Sequence, residues 1–349
     1  MKRCINCSAE YADNIDICPE CGCVDTDFDC PPPGSKNTAK KKLPRSEMRR
    51  RTILVISSIC LAASLAFLIN YYIIEPYREK SQASELASMV HTTDAANDPW
   101  KAIKEKYPDV EFPANMNPSY AELYAANSDF SGWISIPEMD IDFPVVQTTD
   151  NVYYERRDFY GKSTNYGAPF FDYRNSLTYL DRNTIVYGHN MRHDDKIFGT
   201  LEQYREISGF EKAPLISMNT LFGEYKFKIY AVFISNSMPS DDNGHIFNYI
   251  FTNASNSKFK DYISEIDKRK LYSTCVDINE NDKIITLSTC CYDFEDARLV
   301  VVGRLLRSGE SETTDTSLAV KNDNPKFPQA YYDAKRTDNP YKNDIDLFE

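Results

Sequence analysis

The run "ILVISSICLAASLAFLINYYII", Ile53 to Ile74, holds 22 residues and no charge. A helix needs about 20 predominantly apolar residues to cross a bilayer, so this run reads as a transmembrane helix that divides the chain into two separately folding parts. Two other readings fit less well. The apolar core of a signal peptide is shorter and does not follow about fifty polar residues with a cysteine motif of their own. A buried helix of a soluble domain carries more polarity than the Ser, Asn, Tyr and Cys found here. Between Lys40 and Arg51, just before the span, lie seven Lys/Arg and one acid, Glu47. Such an excess marks the cytoplasmic side, which predicts a cytoplasmic N-terminus, everything from Glu75 onward outside, and Tyr71 and Tyr72 at the far interface.

The rest of the composition fits that split. A net charge of -12 over 349 residues argues against a nucleic-acid partner. Six of the ten cysteines (Cys4, Cys7, Cys18, Cys21, Cys23, Cys30) fall on the reducing side, Cys60 is in the span, and only Cys275, Cys290 and Cys291 are external. That is no disulfide scaffold. The chain divides into a Cys-rich module (1–30), a basic Pro- and Lys-rich linker (31–52), the span (53–74), a polar, Ala-rich stalk, helical or loose (75–97), the main external domain (98–307) and a polar tail (308–349).

In the external domain, Asp98 as cap and Pro99 at the first helical position open a short helix, and "NPSYAELYAANSDF" predicts another. From Gly132 the hydrophobic period becomes two. "GWISIPEM", "DIDFPVVQ", "GAPFFDYRN", "NTIVYGHNM", "APLISMNT", "EYKFKIYAVFIS", "KIITLSTC" and "ARLVVVGRLL" read as strands. "FGTLEQYREI" reads as helical. "NSKFKDYISEIDKRKLY" is an amphipathic helix, with Phe259, Tyr262, Ile263 and Ile266 at three- and four-residue spacing. Many strands and few helices predict a mainly β barrel or sandwich. In the tail, "SGESETTDT" predicts disorder, while "NPKFPQAYYDAKRTDNPYK", with four aromatics, is compatible with the domain surface or with free extension.

Two clusters carry chemistry. Cys4, Cys7, Cys18 and Cys21 form two C-x2-C pairs, with Gly22 after the second. Four soft ligands in that pattern predict a structural zinc ribbon, with a redox pair or an iron site as alternatives and Cys23 or Cys30 as a substitute ligand. The second cluster is built on "IITLSTCCYDFEDARLVVVGRLLR". As an antiparallel hairpin connected by residues 291–296, it sets Cys290 opposite Arg298. A cation beside a thiol favours the thiolate, and an arginine can stabilise an oxyanion. Of the four histidines (His91, His189, His193, His245), His189 alone ends a core strand, "NTIVYGHN". From residue types alone, a buried Cys, a solvated Arg and a merely hydrogen-bonded His are the commoner explanation of these positions.

"TLSTC" followed by "ARLVVVGRL" resembles the sortase signature, and "VYGHNM" resembles the family's histidine segment. The similarity runs from about Asp98 to Arg307. The helices before the barrel, "VVQTTDNVYYERRDFYGKSTNYGAPFFD" and the long helix before the cysteine strand resemble class B members in particular. The resemblance implies an eight-stranded β-barrel and a membrane-anchored cysteine transpeptidase of Gram-positive bacteria. It implies Cys290 as nucleophile, His189 as general acid/base, Arg298 as oxyanion donor, and Ser288 and Asn151 as substrate-binding residues. No cofactor is implied for catalysis. The implied partners are secreted proteins with a C-terminal sorting pentapeptide, of the LPXTG or NPQTN kind, and a peptidoglycan-precursor or pilin amine as acceptor. Pilin polymerisation, a cysteine peptidase, and a non-catalytic membrane sensor with a peptide-binding domain are the alternatives. The Cys-rich module and Cys291 depart from the family pattern. Cys291 is expected to pack on the opposite strand face or to form a disulfide with Cys275.

Overall fold

The computed structural model describes residues 1–24, 44–90, 99–192 and 195–344, with 346 and 348. Cys30, most of the basic linker, stalk residues 91–97, the cap Asp98 and His193 lie outside the described residues. The chain forms two compact units, 1–67 and 68–349. The first holds a hairpin of β1 (Lys2–Arg3) and β2 (Glu10–Tyr11) and most of helix α1 (Arg45–Ile69). A π-helical turn, Asn70–Ile74, precedes α2 (Glu75–Ser88). This continuous helical stretch is, among the described residues, the one long and apolar enough to cross a bilayer, and its apolar window is not buried.

The second unit continues with α3 (Pro99–Lys106) and α4 (Ala121–Ala126), then β3 (Phe130–Ile136), β4 (Ile141–Val146), β5 (Phe170–Phe171) and β6 (Asn183–Tyr187). Helix α5 (Ile207–Lys212) leads to β7 (Leu215–Thr220) and the long β8 (Glu224–Asn236). Helix α6 (Asn256–Arg269), capped by Ser255, precedes β9 (Tyr272–Ser273), β10 (Ile284–Cys290) and β11 (Ala297–Leu305). The chain ends with β12 (Val320–Lys321) and α7 (Gln329–Lys335).

Eight strands close into a barrel in the order β10-β11-β8-β7-β3-β4-β5-β6. Alternation supplies the reason: on β10, Ile285 and Leu287 face the interior cluster with Ile134, Phe227 and Val301. Ile284 on the outer face packs under α6 with Phe259, Tyr262 and Ile266. A third cluster, built on Leu123, Phe130 and Phe159, seats α4 and the turn before it. Closure removes the exposed sheet edges that an open sheet of this size would present.

"FGTLEQYREI" is helical as the sequence predicts, in the 3-10 form over Gly199–Arg205, and α5 follows after an extended Glu206. Two expectations need correction. The stalk's first half does not stand off: Leu86 of α2 is buried, Thr164 Oγ1 donates to Glu79 at 3.0 Å, and Asn165 Nδ2 donates to Glu75 at 3.1 Å. The stretch "SGESETTDT" is engaged by the domain where composition predicts disorder. Glu310 binds the buried Arg304 at 2.6 and 2.7 Å and Lys228 at 2.9 Å. Further on, β12 pairs with β9, and Asp346 pairs with Arg269 and Lys326 at 2.7 and 2.5 Å. Polar composition predicts solvation only when the domain offers no buried cations to meet it.

Candidate active site

The β10–β11 hairpin runs in register from Ile284 opposite Arg304 to Cys290 opposite Arg298. Directly opposed residues share a face, so the thiol and the guanidinium leave the sheet on the same side. On its other edge β10 pairs in parallel with β6, from Ile284–Asn183 to Ser288–Tyr187. Gly188 N donates to Ser288 O at 3.2 Å, which extends that pairing toward His189 and Cys290. Asn190 locks the two strand ends together. Its Nδ2 donates to Cys290 O at 2.9 Å and to Glu202 at 3.0 Å, and Tyr292 donates its hydroxyl to Asn190 O at 2.5 Å. Cys290, His189 and Arg298 thereby line one cavity of ≈ 400 Å³.

His189 is held by backbone. Its Nε2–H donates to Glu155 O at 2.7 Å. A carbonyl only accepts, so the neutral ring carries its proton on Nε2 and leaves Nδ1 as the basic nitrogen. Gly167, at φ +65°, makes room: a Cβ there would lie 3.1 Å from the His189 ring and 2.7 Å from Tyr154 O. Burial lowers the imidazole's pKa. The Glu155 carbonyl opposes that shift, while the charges of Arg156 and Arg298 add to it. Arg298 Nη1 donates to Asp296 O at 3.2 Å and Ala297 O at 3.1 Å. These bonds fold the guanidinium back over its own hairpin and use two of its five N–H groups.

Ser288 and Asn151 also line the cavity, but both are already engaged. Ser288 Oγ lies 3.1 Å from the hydroxyl of the buried Tyr249. Asn151 donates to Asp172 at 3.0 Å and accepts from Tyr173 N at 2.9 Å. Asp172 is fully buried and also takes Tyr187 at 2.8 Å and two Arg174 bonds at 2.7 Å. Burial opposes its ionisation, yet Arg174 and the other donors hold its carboxyl below the usual range. Asn151 and Tyr187 thus form a wall of the cavity that the buried Asp172 holds from behind.

Sequence reasoning missed Glu155, Tyr249, Gly167 and Asn190. Only Asn190, inside "VYGHNM", had a visible signal; the others act through backbone or from distant segments. Cys291 packs in the barrel interior, where burial pushes its pKa up. Cys275 is exposed and its thiol donates to Leu318 O at 3.0 Å; both cysteines are free, so the disulfide considered from sequence is not formed. His245 is exposed and lines no part of this cavity. A larger cavity, ≈ 640 Å³, lies between α2 and the β3–β4 turn. It contains none of the three residues, so size alone does not choose the site.

Residues 134–306 match the sortase domain family. Sortase B of Listeria monocytogenes is 34% identical over 188 residues, which is 53% of this chain and 73% of that protein. The chain belongs to the class B sortases. Sortase B of Staphylococcus aureus is 27% identical over 265 residues, 74% of this chain and 99% of that protein. The crystal structure of Bacillus anthracis sortase B superposes with a TM-score of 0.55 at 26% identity, covering 67% of this chain and 99% of that one. A Staphylococcus aureus sortase B–substrate complex gives 0.54 at 25%, with the same coverage. The enzyme is therefore a cysteine transpeptidase, of a family that works at the cell surface. The matched sortase segment contains His189, Cys290 and Arg298. The N-terminal cysteine module and the tail lie outside it.

Proposed function

We propose that this sortase, anchored by α1 with its N-terminus in the cytoplasm, cleaves a C-terminal sorting motif of secreted proteins and transfers it to a cell-wall amine. The observation that carries the reading is the meeting of Cys290, His189 and Arg298 at one cavity. His189 Nδ1 takes the proton of the Cys290 thiol, the resulting thiolate attacks the carbonyl carbon after the motif's Thr, and the C–O π electrons move onto oxygen. Arg298 donates to that oxyanion with the N–H groups not used on Asp296 and Ala297. As the tetrahedral species collapses, the C–N bond breaks and the imidazolium of His189 delivers its Nδ1 proton to the leaving amine. A thioacyl-enzyme remains. An incoming amine gives a proton to His189 Nδ1, attacks the thioester and releases the Cys290 thiolate.

Asn151 and Tyr187 line the cavity and are held in place by the buried Asp172, which fixes the shape of that wall for an extended peptide. The similarity to a Staphylococcus aureus sortase B–substrate complex supports substrate binding by this chain. The acceptor is a peptidoglycan-precursor amine, with a pilin lysine as the other member of the same chemical class.

The test is a fragment starting at Glu75, so that α2 stays docked, incubated with a panel of sorting peptides. Mass spectrometry should show the acyl group on Cys290 and, with an amine present, a transpeptidation product. Acylation elsewhere, or none with any peptide, would sink the reading. Protease added to intact spheroplasts should digest the domain after Glu75, and a protected domain would overturn the topology.

A further inference from the structure

The N-terminal module contains two copies of one turn. Residues 4–9 and 18–23 are related by an offset of fourteen positions, and each backbone feature recurs. Ser8 N donates to Cys4 O at 3.0 Å, and Gly22 N donates to Cys18 O at 2.8 Å. Cys4 N donates to Ala9 O and Cys18 N to Cys23 O, both at 2.9 Å. The residue one past each pair is left-handed, Ser8 at φ 61° and Gly22 at φ 71°. In both turns the first cysteine is buried and the second half-buried. The turns face each other: Cys4 Sγ lies 3.5 Å from Cys21 Sγ, Cys7 Sγ lies 3.6 Å from Cys18 Sγ, and all four sulfurs fall within 4.8 Å of one another.

We propose that Cys4, Cys7, Cys18 and Cys21 hold one structural Zn²⁺ as a closed tetrathiolate, and that this ion is the core of the module. Tetrahedral Zn–S bonds of about 2.3 Å put neighbouring sulfurs about 3.8 Å apart, close to the spacing found. The four groups are free thiols, too far apart in cross pairs for S–S bonds. Among the described residues, the module's cluster of buried side chains is Cys4, Tyr11 and Cys18, too few to hold it by packing alone. So small a core needs an added restraint to stay folded. Zinc outcompetes ferrous iron at a common ligand set, and soft thiolates exclude magnesium and calcium. On binding, the thiols release their protons to solvent and four S–Zn bonds form, with no change of oxidation state. Four sulfurs fill the shell and leave no position for a substrate. Cys23 is not among the four converging sulfurs, which removes it as a substitute ligand. A second acidic group, Glu265, Asp344 and Asp346, is already met by Lys268, Arg269 and Lys326 and takes no part.

The full chain, purified in detergent without chelator, should carry about one zinc per molecule by elemental analysis. Replacing the zinc with cobalt should give the intense visible bands and sulfur-to-metal charge transfer of tetrahedral thiolate coordination. Cys4→Ser/Cys18→Ser should drop zinc below about a tenth per chain, while Cys23→Ser should keep it. Iron in place of zinc, a metal-free wild-type chain, disulfides among the four cysteines, or loss of zinc in Cys23→Ser would each overturn the assignment. The wild-type measurements decide the matter even if the double variant fails to fold.

Discussion

Cys290 and Arg298 face each other on the last rung of the β10–β11 hairpin, with residues 291–296 turning between them. A change at Arg298 therefore reaches the thiol's surroundings without crossing the barrel. If Arg298 serves the oxyanion, Arg298→Ala should lower kcat far more than it raises KM, because the oxyanion exists only beyond the ground state. Loss of such a donor costs on the order of 3 kcal/mol, a hundredfold or more in rate. Arg298→Lys should restore part of it, since an ammonium keeps the charge but not the planar fork. Steady-state kinetics with a cleavable sorting peptide check this; a kcat within a few-fold of wild type would end the assignment.

The same arginine acts on His189. Burial and the charges of Arg156 and Arg298 all lower the imidazole's pKa. NMR titration should place it below the ordinary 6.5 or so, with Nε2 protonated in the neutral ring. Removing the positive charge of Arg298 stabilises the imidazolium, so Arg298→Ala should move the midpoint upward. The ring is neutral in the fold over a range where the unfolded ring binds a proton. Its contribution to stability is therefore present above the ordinary value and is lost as pH falls through the folded one. A downward shift in Arg298→Ala would contradict the geometry.

Two adjacent cysteines should behave as opposites. Cys290 lines the cavity, while Cys291 is buried in the barrel with its pKa raised by burial. Mild alkylation followed by peptide mapping should label Cys290 and the exposed Cys275 and leave Cys291 untouched until the protein unfolds. Cys290→Ala should abolish acylation with the fold intact. Cys291→Ala should leave kcat within a few-fold of wild type and lower the melting temperature, through lost packing in the barrel.

The tail should be needed for stability. Arg304 is 1% exposed and its partner Glu310 23%. Glu310→Ala removes both close carboxylate bonds of a buried guanidinium, leaving it Asp277 at 3.7 Å and the Leu305 carbonyl, where breaking a fully buried pair costs about 3–5 kcal/mol. Water reaches Glu310, so the loss should fall near the lower end in urea denaturation. Arg304 holds the Glu310 carboxyl well below its usual range. The pair's contribution is present above the ordinary carboxylate value, about 4.3, and is lost as pH falls through the folded one. The gap between wild type and Glu310→Ala should therefore close in strong acid. A constant gap would mean that packing, not charge, sets it.

How far the sequence carried the argument depends on the range of each interaction. The β10–β11 hairpin was legible because alternation and a short connection fix its register locally, which placed Cys290 opposite Arg298. His189 was found as a strand end, yet nothing local said that β6 would lie against β10. That parallel pairing joins segments a hundred residues apart and belongs to barrel closure. β5 is shorter than the stretch read as a strand, with Phe170 and Phe171 alone paired before the polar Asp172. The stretch "SGESETTDT" was misread because Glu310 within it meets Arg304 and Lys228, cations that become buried only once the barrel exists. The carbonyl of Glu155 has no sequence signature, since every residue carries one.

Asn190 and Cys290 stand 100 positions apart, and the rungs Ile284–Asn183 to Ser288–Tyr187 bring them together. Those rungs are also the seam that makes an open sheet into a cylinder. A chain that has formed every hairpin but not this seam owns the cysteine and the arginine, yet lacks the imidazole beside them. Turnover is thus a census of sealed barrels: agents that prise the seam apart should extinguish acylation before they erase the hairpins.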